Sequence, residues 1–434
     1  MKRKIKKIVI IGGGVGGLKL STNLGRKLKK NKKINIILID KNPNYVWKPL
    51  LHEVASGYID ENINSLNYLY HAKNNYFKFE IGKMINVDRF NKKVLLGEIF
   101  DDNGKLISKK RIIQYDILVI SIGSISNDFN IKGVKENCKF LDDIKQAKNL
   151  NKDIINIFNK FYFKKKIKKN IKISIIGGGA TGVELSAEML NTFNEFKKYK
   201  SNNCNKNLLK ITLLEASNSI LPSLPKKLSC YVNNELKNIG INISTNTTVI
   251  KVDSCGLYTK NNKYIKSDIM IWTAGIKAPD LIKKISGLEI NNINQIIVKN
   301  TLQTTVDSSI FAIGDCSHCV CNNGIISPPR AQSANQMSFI LYKNILSIIK
   351  NKSLKSYNYK DSGTFISLSK FNAFGILINN FIKKNIFLKG KIARIFYLII
   401  YRIYQLSIYG YIKTILIIVN DIINKKIRPY VKLY

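Results

Sequence analysis

Two glycine-rich turns and two acidic residues could bind a nucleotide in this sequence. In a dinucleotide-binding turn, the first glycine makes the tight turn, the second lets the backbone approach the pyrophosphate, and the third lets helix and strand lie close. The glycines at these three places are Gly12, Gly14 and Gly17 in the first turn and Gly177, Gly179 and Gly182 in the second. One such turn is weak evidence, but two in one chain predict a pair of dinucleotide sites.

An acidic residue follows the next predicted strand in both halves. Asp40 comes after the apolar run 34–39, and Glu215 comes after the run 208–214. A carboxylate at this place hydrogen-bonds the ribose diol of a dinucleotide. No arginine stands beside Glu215, so its charge would repel a 2′-phosphate and favour NADH over NADPH. Two dinucleotides, one of them a nicotinamide, indicate FAD and NADH with hydride transfer between them.

The elements around the turns are those that a nucleotide site needs. β-branched runs at 5–11 and 171–176 predict buried parallel strands, and helical periodicity begins at Leu18 and at Val183. A helix that starts at a phosphate offers free N–H groups and the positive end of its dipole. The predicted fold class is therefore α/β, with two Rossmann-like dinucleotide-binding domains.

Composition narrows the class of protein further. The 434 residues suggest two or three domains, and 45% hydrophobic residues exclude global disorder. The net charge of +43 suggests a polyanionic partner or compositional drift on solvated surfaces. Seven scattered cysteines favour a reducing compartment. We expect no signal peptide, because the N-terminal residues show no apolar region followed by a small-residue cleavage site. We expect no membrane-spanning helix, because uninterrupted apolar runs of about 18 residues are absent from the sequence.

Four further motifs carry a family resemblance. They are YVWKPLLHEVASG at 45–57, TAG at 273–275, FAIGD at 311–315 and AQSANQ at 331–336. With the two glycine turns, they resemble type II NADH:quinone oxidoreductase, the single-subunit alternative NADH dehydrogenase, and in particular its enterobacterial form. The similarity covers essentially the whole chain. It implies a peripheral membrane flavoenzyme that works by a ping-pong reaction, from NADH to FAD and on to a membrane quinone, without pumping protons.

The resemblance also assigns residues to the cofactors. It implies FAD contacts by Gly12, Gly14, Gly17, Asp40, Lys48, Gly123, Asp315, Ala331 and Gln332. It implies NADH contacts by Gly177, Gly179, Gly182, Glu184, Glu215 and Gly275. Within the FAD set, Asp40 would hold the adenosine ribose, Lys48 would stand beside the flavin, and Asp315 would hold the ribityl chain. Asp315 as an ordinary helix-capping or loop acid is the alternative.

Three residues are the catalytic candidates. Gln332 and Gln336 share one helix face, and in the family this stretch lies by the flavin and forms part of the quinone pocket. Glu184 resembles the family's glutamate between the nicotinamide and quinone sites. The alternatives are a polar surface face for the glutamines and an ordinary first-turn helix acid for Glu184. Lys370 lies in the region of a family lysine near the quinone, but that role is not carried over to it.

The cysteines do not indicate catalysis. Disulfide reductases of the same superfamily need a cysteine pair near the first flavin-binding segment, and the first cysteine here is Cys138. Cys316, Cys319 and Cys321 surround His318 and could suggest a soft-metal site. A second Cys/His pair that would complete such a site is missing. We therefore predict reduced structural thiols and assign no metal ligand.

The C-terminal segment 390–434 gives the positive charge a pattern. On a helix, Lys391, Arg394, Arg402, Gln405 and Lys413 fall within one arc, and isoleucines and aromatic residues occupy the remainder. Gly410 is predicted to divide the segment into two amphipathic helices. A wide apolar face with a cationic stripe is typical of a helix in the surface of an anionic membrane. A helix covering the core of a soluble domain is the alternative.

The complete prediction places FAD-binding domain segments at 1–124 and 276–349, the latter with the quinone-site helix. An NADH-binding domain spans 125–275 and a membrane-associating region spans 350–434. Lys/Asn-rich surface excursions are predicted at 164–170 and 197–206. The expected substrate partner is a ubiquinone-type quinone. The expected location is the anionic surface of a bacterial inner membrane, at its cytoplasmic face. A homodimer is considered, and nucleic acid is not expected as a partner. The rival functions are a soluble NADH-dependent flavin or metal-ion reductase and a redox sensor that binds nucleic acid.

Overall fold

The computed structural model describes residues 6–58, 65–163, 170–198, 209–379 and 384–427. The chain forms two compact units, one of residues 1–47, 65–125 and 276–361 and the other of residues 48–64, 126–275 and 362–434. These units place 48–64 with the central segment and divide the C-terminal part at 361, whereas the predicted domains divide it at 349. Most of the two predicted surface excursions lies outside the described residues.

The first unit is built on a five-stranded parallel sheet. Its strands lie in the order β22 (Ile310–Ala312), β11 (Ile117–Ile120), β1 (Lys6–Ile11), β2 (Ile34–Asp40) and β5 (Lys78–Ile81). Its central strands are runs of isoleucine, valine and leucine that are buried on both faces, as a covered parallel sheet requires. The strands are β1 Lys6–Ile11, β2 Ile34–Asp40, β3 Asn44–Tyr45, β4 Leu66–Asn67, β5 Lys78–Ile81, β6 Met84–Asp88, β7 Lys93–Leu96, β8 Ile99–Phe100, β9 Leu106–Ser108, β10 Arg111–Gln114, β11 Ile117–Ile120, β20 Ile276–Lys277, β21 Ile296–Val298, β22 Ile310–Ala312 and β23 Ser317–Cys319, with β12 Ile125–Ser126 at the boundary. The unit also contains separate small sheets, which are antiparallel in β3–β4, β6–β7–β10 and β8–β9 and parallel in β21–β23.

The helices of the first unit are α1 Val15–Leu28, α3 Tyr68–Asn74 and α8 Ala331–Ile349. Helix α1 begins three residues earlier than the predicted Leu18, because Gly16 and Gly17 already lie in its first turn. Helix α8 begins at Ala331, as predicted. Gly16 lets α1 approach α8, since a Cβ there would lie 3.4 Å from the Ala334 carbonyl oxygen.

The second unit repeats the design with a four-stranded parallel sheet in the order β15-β14-β13-β19. Its strands are β13 Ile171–Ile176, β14 Leu209–Leu214, β15 Asn242–Ser244, β16 Val249–Asp253, β17 Gly256–Thr259, β18 Tyr264–Lys266, β19 Ile269–Trp272, β24 Gly363–Leu368, β25 Asn372–Asn379 and β26 Lys384–Lys389. Its helices are α2 Leu51–Ala55, α4 Val134–Asn137, α5 Ile144–Phe163, α6 Ala180–Lys198, α7 Lys226–Asn238, α9 Gly390–Tyr409 and α10 Tyr411–Ile427. Strand–turn–helix units at both glycine turns confirm the predicted fold class.

The last part of the second unit is an antiparallel sheet, β24-β25-β26, covered by α9. Ala393 of α9 is fully buried against Phe365 and Ala373 of this sheet. Gly410 has φ +82° and separates α9 from α10, which confirms the predicted interruption. No helix among the described residues is long and apolar enough to span a membrane.

Candidate functional site

The first glycine turn is shaped by close backbone contacts at its ends and by open space in its middle. Gly12 has φ +97°, and a Cβ there would lie 2.4 Å from the Ser121 carbonyl oxygen. A Cβ on Gly17 would lie 2.0 Å from the Gly12 carbonyl oxygen. A Cβ on Gly14 would meet no protein atom within 4 Å. Gly12 and Gly17 are therefore required by the fold, whereas Gly14 leaves room for a ligand that approaches the backbone.

Asp40, at the end of β2, is fixed beside this turn. Its carboxylate accepts the Gly13 N–H at 2.7 Å and the Asn42 N–H at 2.8 Å. Burial raises the pKa of Asp40, and these two backbone donors partly oppose that rise by stabilising the charged form. The N-terminus of α1 has neither a side-chain cap nor an acidic residue in its first turn. Its N–H groups fit the pyrophosphate of FAD, which is an anion.

The second turn repeats this geometry. Gly177 has φ +111°, and a Cβ on Gly182 would lie 2.0 Å from the Gly177 carbonyl oxygen. A Cβ on Gly179 would meet no protein atom within 4 Å. Glu215 accepts the Gly178 N–H at 2.7 Å and the Ser217 N–H at 2.8 Å, so the chain holds its carboxylate beside the turn, as Asp40 is held in the first unit. This arrangement fits NADH.

Asp315 lies in a 3-10 turn between β22 and β23, at residues 314–316. Its side chain accepts the Ser124 hydroxyl at 2.8 Å, and its carbonyl oxygen accepts the Gln295 side-chain amide at 2.9 Å. Ser124 and Gln295 were not anticipated from the sequence, although Ser124 directly follows the predicted Gly123. Gly123 has φ +71°, and a Cβ there would meet no protein atom within 4 Å. Asp315 is thus held in place by two partners while Gly123 leaves space, which suits a ligand in the first unit.

The two candidate glutamines on α8 are both engaged by the chain that follows the helix. The Tyr359 hydroxyl donates to the Gln332 side-chain oxygen at 3.0 Å. The Gln336 amide donates to the Lys360 carbonyl oxygen at 2.7 Å and accepts the Lys360 N–H at 3.1 Å. Gln336 therefore fastens this stretch to α8. The N-terminus of α8 at Ala331 has no side-chain cap, so its N–H groups suit an anionic part of a ligand.

Glu184 lies in the second turn of α6 and is buried, so the first-turn helix acid considered as its alternative is wrong. Its carboxylate accepts the Ser367 N–H at 3.0 Å. Burial raises the pKa of Glu184 to about 8, and the charge of Glu188 adds to the rise. Glu184 is thus a carboxylic acid that stays protonated near neutral pH, which is what a proton donor requires.

His52 and Glu53 belong to the motif at 45–57, and the sequence predicts no role for either. His52 Nδ1 lies 4.0 Å from the Glu184 carboxylate. Burial lowers the pKa of His52 to about 4, so the imidazole is neutral beside this acid. Tyr397 of α9 hydrogen-bonds Glu53, and burial raises the pKa of this phenol. Sequence periodicity could not have found this cluster, because its members come from α2, α6 and α9.

The remaining predicted site residues divide between the units. Lys48 is exposed in the second unit, whereas the other proposed FAD residues belong to the first. Gly275 has φ +62°, and a Cβ there would lie 2.4 Å from the Phe129 ring. Lys370, which was given no role, forms an ion pair with Glu195 at 2.9 Å.

The cysteine cluster is made of buried thiols. Cys316 donates to the Ile313 carbonyl oxygen at 3.4 Å, and Cys321 accepts the Tyr359 N–H at 3.3 Å. Burial raises the pKa of Cys316 and of Cys319 to about 12, so both are protonated. Within the described ranges, no set of three histidine, cysteine, aspartate or glutamate residues is arranged to hold a metal ion.

The C-terminal helices expose a broad apolar surface, but their cationic stripe is not arranged as predicted. Arg402 forms an ion pair with Asp421 of α10 at 2.6 Å and donates to Gln405. Arg394 lowers the pKa of the buried Glu188 by its charge. Two of the predicted lipid-facing cations therefore interact with acidic groups of the protein, because α9 also covers a sheet and contacts α10. The apolar residues on the outside are Ile392, Ile395, Leu398, Ile399, Ile403, Tyr411, Ile412, Ile415, Leu416, Val419, Ile422, Ile423 and Ile427.

Comparison with known proteins agrees with this geometry. Residues 6–338 match the family described as pyridine nucleotide-disulphide oxidoreductase. A type II NADH:quinone oxidoreductase from Haemophilus influenzae is 44% identical and is aligned over 99% of this chain and 100% of its own length. A type II NADH:quinone oxidoreductase from Staphylococcus saprophyticus is 29% identical over 90% of this chain and 94% of its own.

Solved structures show the same fold. NDH2 from Plasmodium falciparum in complex with NADH has a TM-score of 0.83 at 23% identity and covers 99% of this chain and 100% of that one. The sulfide:quinone oxidoreductase from Aquifex aeolicus has a TM-score of 0.73 at 18% identity, over 94% of this chain and 92% of that one. Since the identity to the Haemophilus relative extends over essentially the whole chain, this protein belongs to the type II NADH:quinone oxidoreductases, the non-proton-pumping NADH dehydrogenases that use a flavin to pass electrons from NADH to quinone.

Proposed function

We propose that the first unit holds FAD, that the second unit selects NADH through Glu215, and that Glu184 supplies a proton to a ubiquinone-type substrate. The observation that carries this assignment is the repeated device of an open central glycine beside a carboxylate fixed on a backbone N–H. In the first unit it is Gly14 with Asp40, and in the second it is Gly179 with Glu215. FAD, when bound, supplies the redox chemistry, which is hydride acceptance from NADH and two-electron transfer to quinone.

The chain's own residues then have three tasks. Asp40 and the N-terminus of α1 bind and orient the adenosine and pyrophosphate of FAD. Asp315, fixed by Ser124, and the N-terminus of α8 are proposed to position the remainder of FAD. Glu184 holds a proton in a buried place near neutral pH. Quinone reduction consumes protons, so a protonated carboxylic acid inside the second unit supports a proton-donor role.

An anaerobic experiment tests the assignment. The purified protein should carry a flavin absorption spectrum that NADH bleaches and that a ubiquinone analogue then restores. NADPH should bleach it far more slowly, because Glu215 opposes a 2′-phosphate. Equal rates with NADH and NADPH would contradict the role of Glu215. A rate of return that is unchanged in Glu184→Gln would contradict the role of Glu184.

We also propose that α9 and α10 hold the protein on the cytoplasmic face of an anionic bacterial inner membrane. Their outward side chains are large aliphatic residues over two consecutive helices, and Ile412 is 77% exposed. Helices with this character lie in the membrane interface. The net charge of +43 adds attraction to anionic lipid. A quinone dissolved in the bilayer would then be within reach of the enzyme.

Vesicle flotation tests the membrane proposal. Replacing Ile412, Ile415 and Leu416 by serine should reduce binding to phosphatidylglycerol vesicles by about a thousandfold or more. Three buried aliphatic side chains at about 1.5 kcal/mol each contribute roughly 4.5 kcal/mol, and about 1.4 kcal/mol corresponds to a tenfold change. Ile107→Ser with Ile112→Ser is the matched control, because both residues are exposed in the first unit. Equal loss in the two variants would refute the assignment of the surface to α10. Binding that is equal on neutral vesicles would refute the anionic preference.

A further inference from the structure

A line of buried polar side chains runs along α6 beyond Glu184. Glu188, Asn191 and Glu195 follow Glu184 at intervals of four, three and four residues, so all four lie on one helix face. All four side chains are buried, with exposures of 4% to 8%. Three buried acids on one face of a helix are costly unless they have partners or a function.

A second row of residues, from β24 and the turn that follows it, contacts the same face. The Ser367 N–H donates to Glu184 at 3.0 Å, the Ser369 hydroxyl donates to Glu188 at 2.8 Å, and Lys370 donates to Glu195 at 2.9 Å. The row therefore begins at the Ser367 N–H, beside Glu184, and ends at the charged Lys370 side chain, beside Glu195. Lys370 and Lys198, the two cations paired with Glu195, have side chains that are 38% and 68% exposed.

Asn191 is a separate observation that points to water, and so to proton transfer, along this face of the helix. Its side-chain nitrogen is buried and has no hydrogen-bond partner among the residues that the structure describes. A buried amide of this kind is satisfied by water, and it stands between Glu188 and Glu195 on the helix face. A water there would join the outer ion pair to Glu188.

We infer that Glu188 is a proton-relay residue that reloads Glu184 from solvent, along a path that begins at Glu195 and Lys370 and passes Asn191. The inference rests on the proposed donor role of Glu184. Reduction of a quinone by NADH takes up one proton from solvent, because NADH provides a hydride and the quinol carries two hydrogens. After Glu184 gives its proton to a quinone oxygen, the O–H bond of Glu188 breaks as a new O–H bond forms on Glu184. A proton taken up from solvent and passed along water beside Asn191 then forms the new O–H bond on Glu188, which balances the one proton that the overall reaction consumes.

The charges around Glu188 suit this role. Burial raises its pKa, while the Ser369 hydroxyl and the charges of Arg394 and Lys370 oppose the rise. Glu184, one turn earlier on α6, and Tyr397 of α9 also interact electrostatically with Glu188, and the neutral His52 of α2 lies beside Glu184. Glu188 can therefore alternate between its two protonation states at physiological pH, as a relay group must.

Proton exchange in the resting enzyme tests the inference without turnover. The holoenzyme is mixed rapidly into D₂O, and the shift of the Glu184 carboxyl C=O infrared band, identified as the band lost in Glu184→Gln, is followed in time. Glu188→Gln keeps the shape and an acceptor for Ser369, and it should slow this exchange by about tenfold or more. Glu188→Asp keeps a carboxyl group and should retain most of the wild-type rate. Glu235→Gln on α7 is the charge-matched control.

Half-reactions give the second readout. In Glu188→Gln, bleaching by NADH should be unchanged, whereas reoxidation by the quinone analogue should slow by about tenfold or more and show a larger solvent isotope effect. Unchanged exchange and unchanged reoxidation would overturn the relay, as would equal defects in Glu188→Gln and Glu188→Asp. If Glu184→Gln reoxidises normally, the donor role of Glu184 fails instead. The two failures are therefore distinguishable.

Discussion

Replacing Glu184 by glutamine should flatten the dependence of stability on pH between pH 6 and pH 8. Burial raises the pKa of Glu184 from 4.5 to about 8 in the folded protein. A carboxyl whose pKa is higher in the folded chain than in the unfolded chain stabilises the fold below the unfolded pKa. That contribution is lost as the pH rises through the folded pKa. The window of loss therefore extends from about 4.5 to about 8.

The magnitude follows from linkage. Each pH unit over which only the folded state holds the proton costs about 1.4 kcal/mol, so raising the pH from about 6 to about 8 should cost the wild type on the order of 2 kcal/mol through this one group. Glutamine cannot ionise and still accepts the Ser367 N–H. Glu184→Gln should therefore lose about 2 kcal/mol less than the wild type over the same interval.

The assay is urea unfolding of the holoenzyme at both pH values, with the difference between the two proteins as the result. Glu195→Gln is the control on the same helix. The hydrogen bond from Lys370 lowers the pKa of Glu195, so that group is ionised throughout this interval. If Glu184→Gln and wild type lose equal stability between the two pH values, Glu184 is already ionised at pH 6. The reasoning from burial is then wrong.

Two further predictions concern the nucleotide turns. Gly17→Ala should destabilise the protein by about 1–3 kcal/mol in chemical unfolding, because the new Cβ would clash with the Gly12 carbonyl oxygen. Gly14→Ala should leave the unfolding of the flavin-stripped protein unchanged and lower the amount of FAD that the purified protein carries. Equal flavin content in Gly14→Ala and wild type would contradict the proposed FAD contact at Gly14. Glu215→Ala should raise the KM for NADH by about tenfold and reduce the preference for NADH over NADPH in steady-state assays, since a ribose hydrogen bond and a repulsive charge are both lost; an unchanged preference would show that Glu215 does not read the ribose.

The glycine turns, their carboxylates and the helix interruption were predictable, because each depends on the geometry of residues that are close in sequence. A glycine turn between a strand and a helix occupies a few consecutive residues, so Gly12, Gly177, Asp40 and Glu215 could all be placed from spacing alone. The predicted starts of α1 and α6 were three residues late, because the periodic apolar pattern begins only after the glycines of the first helical turn. The break at Gly410 followed equally from a single residue type.

The sequence by itself determined the two glycine turns with their neighbouring carboxylates, the helix at Ala331 and the family motifs, since each is a pattern along the chain. Only the tertiary structure decided the state of Glu184, because its pKa depends on burial, on the charge of Glu188 and on the hydrogen bond from the Ser367 N–H of β24, which is distant in sequence. Contacts between elements also explain why the cationic stripe predicted for the C-terminal helices differs from the structure. Periodicity assigned Arg402 to a lipid-facing stripe, but α10 folds back beside α9 and places Asp421 against it. The charge partners of a side chain come from the elements that surround it. The sequence pattern of one helix contains no information about those neighbouring elements.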